Sequence, residues 1–556
     1  MGLAPIIDKV TRVSGREVTR RRALAIGGLG ALAIVSVPVV LSSCTSTPPQ
    51  HPPGAAFRNP PVRRAESGRL TGPLTAQRTV LDVGIGHPYT TYTYGGEIPG
   101  ATWELHPGDT IAVTVRNQMP PLSERDQARS DGHDHGQMDT GSTTDHVNST
   151  RPHDWTHTNL HTHGLHVSPA GDGDNPFITI APGAEQQYEI PIPADHPGGL
   201  FWYHPHRHGA VAYQVQGGMA GALIVRGAID EVPEIRAATE QVMVFQALEM
   251  DAEFEIPTPE PNATRQEAFF PRDAIHWTLN GQTTPVITMR RGEVQRWRML
   301  NAAEGKLISL QLTGHELHHI GYDGLAIPAP RRVRDTFIEP GARVEALVQA
   351  QYPGRYELIL TPATSQLPYL RGWDQALGPE QPAGADGTVW QEVVPRVVAV
   401  VEVLPERADM ALPTSLPAYD PPLKPIAKRR RVEYTVHRRA DHQFVAFGID
   451  GRPFDPANAP YRMRVDTAEE WTIVNGADER FVHVFHIHVN PFLVTHVNGQ
   501  RLPTPVWRDT FALGPHLGDS FTFVMNIDDF TGKTVEHCHV LTHEDLGMME
   551  ALEIVP

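Results

Sequence analysis

From Pro107 to Asn117 apolar and small or polar residues alternate, with Ile111, Val113 and Val115 spaced two apart. A period of two puts one set of side chains on each face of an extended chain, so the stretch predicts a half-buried β-strand. The pattern recurs. Gly96-Glu97-Ile98-Pro99 leads to the strand ending at Asn117, Asn280-Gly281 leads past Arg291-Gly292 to one ending at Asn301, and Asp450-Gly451-Arg452-Pro453 leads past Val465-Asp466 to one ending at Asn475. Each copy reads as turn, strand, turn, strand. An all-β protein of three similar β-sandwich domains is expected, at 76–228, 231–404 and 432–556. Residues 405–431 read as a linker whose run Lys428-Arg429-Arg430-Arg431 is solvated. Residues 44–75, rich in Pro, Ser and Thr, read as a tether. With 40% hydrophobic residues, 48 Gly and 51 Pro, the composition suits many short strands joined by turns.

The N-terminus departs from this pattern. Thr19-Arg20-Arg21-Arg22 precedes an apolar stretch, Ala23 to Leu41, that ends in Leu41-Ser42-Ser43-Cys44. A basic segment followed by an apolar one reads as an export signal over residues 1–43. The arginines resemble a twin-arginine signal and Leu-Ser-Ser-Cys resembles a bacterial lipobox. That resemblance implies lipidation of Cys44, an extracytoplasmic location and a membrane partner through the lipid anchor. An uncleaved apolar anchor is the alternative, weakened by Pro38.

The formal charge of −17 becomes −21 when residues 1–43, with six Lys/Arg and two Asp/Glu, are removed. No basic excess remains to neutralise phosphates, which excludes nucleic acid as a partner. Of the 2 cysteines, Cys44 belongs to the signal, leaving Cys538 alone. A single thiol in an oxidising compartment is reactive unless occupied, and metal ligation occupies it.

The candidate chemistry lies in four histidine motifs among 29 histidines. They are His161-Thr162-His163, His204-Pro205-His206, His483-Val484-Phe485-His486-Ile487-His488, and His537-Cys538-His539 followed by His543 and Met548. One His-x-His pair proves little in so histidine-rich a chain. Together the four supply more donors than one tetrahedral zinc can take. Strand alternation sends His537 and His539 to one side and Cys538 to the other, so three residues can touch two metal centres. A thiolate, two imidazoles and a thioether are the donors that copper electron-transfer sites use.

These motifs, from about residue 70 to the end, resemble the multicopper oxidases, in their three-domain, laccase-like or bacterial cuprous oxidase form. The resemblance implies cupredoxin-like Greek-key domains and four copper ions. His483, Cys538, His543 and Met548 would hold a type 1 copper. His161 and His486 would hold a type 2 copper. The sets His163, His204, His539 and His206, His488, His537 would each hold a type 3 copper. Val484 stands where many members have Pro. The implied activity is one-electron oxidation of phenols, aromatic amines or Cu(I), coupled to reduction of O2 to water, with a role in copper detoxification. A copper-sequestering protein, a non-catalytic scaffold and a copper nitrite reductase are the competing readings.

Oxygen reduction needs protons, and the family analogy points to Asp172 and Glu544 as the carboxylates that handle them. Met548 as an axial donor implies a lower potential than an apolar residue there. The insert 131–157, rich in His, Asp and Gly, reads as a mobile loop. His133, His135, Met138 and His146 could capture copper there, and a plain unstructured insert remains the alternative.

Overall fold

The three turn-strand copies open three pairs of stacked sheets. In this computed structural model of the chain, residues 54–131, 150–261, 263, 274–361, 395–438, 444–477 and 482–556 are described. All of these lie in one compact unit, Pro49–Pro556. Among them, six sheets of four to six strands form the pairs. The first pair carries strands between Val62 and Val225, the second between Thr239 and Arg407, the third between Ile426 and Val555.

The internal repeat is legible in the pairings. The strands ending at the repeated Asn run parallel to the opening strand of their own unit: Thr110–Gln118 with Arg69–Leu81, Val294–Asn301 with Thr239–Met250, and Thr467–Asn475 with Ile426–Arg438. The strand after each turn runs parallel to the unit's closing strand: Gly100–Leu105 with Gly221–Val225, Val286–Arg291 with Arg396–Arg407, and Tyr461–Arg464 with Met549–Val555. Parallel neighbours require crossovers, so each unit switches sheets rather than folding as simple hairpins.

The repeated asparagines have one job. Asn117, Asn301 and Asn475 are each at most 1% exposed. Their Nδ2 groups donate to loop carbonyls of Thr156 and Ile180, of Lys306 and Ile338, and of Gly514. Their Oδ1 atoms accept the backbone N–H two residues on, from Met119, Ala303 and Ala477. A buried amide satisfies loop groups that no ladder reaches.

Several expectations need correction. The tether over 44–75 is structured from residue 54: Val62–Arg64 pairs with Gly100–Leu105, Arg69–Leu81 is the spine of a sheet, and the Phe57 N–H donates to Val286 O at 2.8 Å. Its prolines mislead because Pro60 and Pro61 precede an edge strand, where a missing N–H breaks no ladder. The linker 405–431 is shorter than expected, since strands run to Arg407 and from Ile426. Between them Met410, Leu412 and Leu416 pack against Ile235, Val294 and Leu347 of the second unit. In the basic run, Arg430 is not solvated: its side chain, 5% exposed, pairs with Glu469 and lies over Trp471 and Tyr461. The end of the insert is core, with Trp155 and Thr156 2% exposed. Cys44, the signal and the insert residues His133, His135, Met138 and His146 lie outside the described residues.

Candidate metal centre

Short strands set the histidines in register. His161–His163 runs antiparallel to Gly199–His204, opposing His161 to His204, and His483–Ile487 runs antiparallel to Gly532–Cys538, opposing His486 to His537. Cross-strand partners share a face, so each pairing brings two imidazoles together. The first and third sandwiches then face each other. Rings of His161 and His488 stack with centroids 3.8 Å apart, as do those of His163 and His486. His206 lies 4.7 Å from His537, and His163 lies 4.9 Å from His539. All of these rings are at most 2% exposed.

Second partners fix which nitrogen faces inward. His161 Nδ1 meets the Asp174 carboxylate at 2.8 Å, His204 Nδ1 meets Pro205 O at 2.9 Å, and His486 Nδ1 meets Asp509 O at 2.8 Å. In each of these rings Nε2 is buried without a hydrogen-bond partner. His163 is turned the other way, with Nε2 3.1 Å from Thr510 Oγ1 and Nδ1 unpartnered. His206 Nε2 lies 3.1 Å from both His537 Nε2 and His488 Nε2, converging three nitrogens on one point. Buried nitrogens left unsatisfied are costly unless something binds them, and ligating histidines anchor their other nitrogen in this way. Burial, reinforced by mutual repulsion, holds His163, His204, His486, His488 and His539 well below the usual histidine range. They stay neutral, with lone pairs free for a metal.

A second cluster lies across the strand. Cys538 Sγ is 3.8 Å from His483 Nδ1 and 3.7 Å from His543 Nδ1, which are 3.2 Å apart. Donors about 2.0–2.3 Å from a common ion would show such separations. Met548, fully buried, is held beside them: its N–H donates to His543 O at 2.9 Å, and its carbonyl accepts from Cys538 N at 3.0 Å. Burial pushes the Cys538 thiol up to about 12 when only protein surrounds it. A bound cation reverses that balance. The residues therefore fit copper ions at both clusters.

The short helix Leu541–Asp545 serves both clusters. His543 faces Cys538, while Glu544 Oε2 lies 2.8 Å from His537 Nδ1 and Oε1 lies 3.5 Å from His206 Nδ1. Burial pushes the Glu544 carboxyl up, but His537 and His206 outweigh it and hold it at about 2. Near His543, Lys306 is clamped by Glu249 and Glu304, and the Glu304 carbonyl accepts from Leu541 N.

The histidine and cysteine donors implied by the sequence all line these two clusters, and Met548 is buried beside the second. Around His163 and His204, the His539 ring lies 4.9 Å and 5.5 Å from theirs, and His161 is a further close donor. Asp172 is a correction. It is exposed and accepts from Gln186 Nε2, whereas Asp174, two residues on, is the buried carboxylate on His161. Gly173 allows the tight turn between them, since a Cβ there would lie 2.4 Å from Ser168 O. Burial opposes ionisation of Asp174, yet His161 and the Thr162 N–H hold its carboxyl below the usual range. Asp509, Thr510 and Arg343 also support the site without any motif to mark them.

Multicopper oxidase models match residues 145–229, 255–369 and 425–556. The multicopper oxidase mco of Staphylococcus aureus is 22% identical over 501 residues, covering 88% of this chain and 90% of that protein. The cell division protein FtsP of Shigella dysenteriae is 24% identical over 501 residues, covering 89% and 90%. A multicopper oxidase structure from Campylobacter jejuni, described as a metallo-oxidase, aligns with a TM-score of 0.70 at 24% identity, covering 91% of this chain and 97% of that one. Such likeness establishes the cupredoxin-like fold of the three sandwiches. The matches span the strands that carry both donor clusters, and the chain belongs to the multicopper oxidase family.

Proposed function

We propose that the chain is an exported, lipid-anchored oxidase that removes single electrons from a phenol, an aromatic amine or Cu(I) and reduces O2 to water. His483, Cys538, His543 and Met548 would hold one copper; His161 and His486 a second; His163, His204, His539 and His206, His488, His537 the remaining pair. Copper in these sites supplies one-electron redox chemistry and O2 binding. The observation that carries the reading is the placement of Cys538 in one cluster and its neighbours His537 and His539 in the other, which joins the clusters through adjacent residues.

The chain's own residues do the rest. Burial of both clusters excludes bulk water. Asp174, Pro205 O and Asp509 O fix imidazole orientation, so little reorganisation accompanies a change of charge. Each O2 takes up four electrons and four protons to give two waters, and Glu544, ionised beside His537 and His206, can accept a proton in transit and pass it on there. The likeness to a cell division protein favours a second reading without turnover; the intact donor set supports the redox one.

Oxygen uptake by copper-loaded protein, with a phenol or Cu(I) as donor, tests this. The wild type should consume O2 and show a blue thiolate–copper absorption, both lost in Cys538→Ser. Loaded protein that binds copper but consumes no O2 with any donor is a copper-holding protein instead.

A further inference from the structure

The middle sandwich supplies none of the donors, yet its residues reach the oxygen-side cluster. Arg343, at the start of the strand Arg343–Gln349, is completely buried. Its guanidinium touches all three sandwiches. Nε donates to Leu200 O at 3.2 Å in the first, Nη1 to Gly341 O at 3.0 Å in its own, and Nη1 and Nη2 form a fork on Asp509 in the third, at 2.8 and 2.5 Å. Asp509 touches two histidines in turn. Its Oδ1 lies 3.4 Å from His163 Nε2 and accepts from Thr510 Oγ1, which itself lies 3.1 Å from that nitrogen. Its backbone carbonyl meets His486 Nδ1 at 2.8 Å.

The packing leaves this ion pair little room to move. A Cβ on Gly164, next to His163, would lie 2.3 Å from Arg343 Nη2 and 2.4 Å from Asp509 Oδ2. Asp323 backs the pair, accepting from the Arg343 N–H at 2.9 Å and from Arg508 Nε at 2.7 Å, while Arg508 also pairs with Glu339. Two guanidiniums thus face three carboxylates, and each carboxylate has a guanidinium partner. Because His163 and His486 stack with an interplanar angle of 11°, a shift of Asp509 displaces both.

We propose that Arg343 is a positioning residue for the oxygen-reducing cluster: by its fork on Asp509 it sets the orientation of His163 and His486, and it makes the middle sandwich part of the centre. The inference rests on copper occupying that cluster. A planar fork fixes a carboxylate in two directions, whereas an ammonium holds it at one point, so lysine keeps the charge and loses the orientation.

The test follows copper release to excess EDTA from loaded wild type, Arg343→Lys, Asp509→Asn and the double variant. The blue absorption reports the Cys538 site, and total copper by mass spectrometry reports the remainder. Loss of partners behind a ligand typically weakens metal binding about 10- to 100-fold. Arg343→Lys should therefore release the oxygen-side copper at least about tenfold faster, with the blue band decaying at the wild-type rate. The double variant should be no faster than the faster single, because Arg343 acts through Asp509. Equal acceleration at both sites, unchanged release, or additive effects would overturn the proposal. If Arg343→Lys does not fold, Asp509→Asn carries the same comparison with the same opposing outcomes. Wild-type protein holding no copper beyond the blue site would refute the underlying reading as well; wild type that holds it, with a silent Arg343→Lys, refutes this inference alone.

Discussion

Replacing Glu544 by Gln separates the two things this side chain does. The amide oxygen can still sit against His537 Nδ1, where the carboxylate lies at 2.8 Å, so imidazole orientation survives. The negative charge and the site for a proton are lost. Positioned acid–base groups contribute about 10²- to 10⁴-fold, so turnover should fall by at least about a hundredfold, equivalent to about 2.7 kcal/mol of barrier. Glu544→Ala should cost more, because it leaves the buried His537 Nδ1 with only its 3.3 Å contact to Cys538 O, a penalty of about 1 kcal/mol. Copper content and the blue band should be unchanged in Glu544→Gln, since neither His543 nor Cys538 bonds to the carboxylate. The assay is steady-state O2 uptake on protein of verified copper content, with anaerobic bleaching of the blue band by substrate as a control for the electron-entry half. Bleaching at the wild-type rate with slowed O2 uptake is the expected pair. Fully loaded Glu544→Gln with O2 uptake within about threefold of wild type would refute a proton role for this carboxylate.

Asp172→Asn should leave O2 uptake within about twofold, as befits an exposed side chain, while Asp174→Asn, facing both His161 Nδ1 and the Thr162 N–H, should lower it at least about tenfold; the reverse order would restore Asp172. Gly341→Ala should destabilise the protein by about 2–4 kcal/mol in urea titration, because φ there is 82° and a Cβ would lie 2.7 Å from the His539 ring; an unchanged midpoint would mean that the ring gives way freely. At the seam of the first two sandwiches, burial works against ionisation of Asp230 and Glu240, but Arg298 and its neighbours Arg296 and Arg226 hold both carboxyls below the usual range. Their stabilisation is therefore present above the unfolded value of about 4 and lost as pH falls further, through the folded values. Thermal midpoints measured from pH 5 to 3 should fall more steeply for wild type than for Glu240→Gln, and parallel curves would discount the pair.

Much of the molecule was readable from the chain. Period-two alternation and the recurring turns announced strands in three copies, because side chains on a strand report burial directly. The donors were equally plain. A thiol between two histidines, and histidines two apart, need only local strand geometry to face a metal, so Cys538, His537 and His539 declared their split before any tertiary contact was known. Local pattern misled where a residue's environment comes from elsewhere in the chain. Pro60 and Pro61 suggested a tether, yet the strand after them is held by Gly100–Leu105, and Arg430 reads as a surface charge until Glu469 and Trp471 close over it.

The amino-acid sequence by itself determined the strand-rich units, the donor residues and the two-sided character of the Cys538 triplet. Tertiary structure alone decided which carboxylate serves His161, how His163 came to turn its Nδ1 inward, and that Arg343 of the donor-free sandwich stands behind the cluster. The physical reason is range. Strand alternation and turn geometry act over a few residues, whereas a hydrogen bond or a buried ion pair joins groups separated by any length of chain, such as Arg343 and Asp509, 166 positions apart.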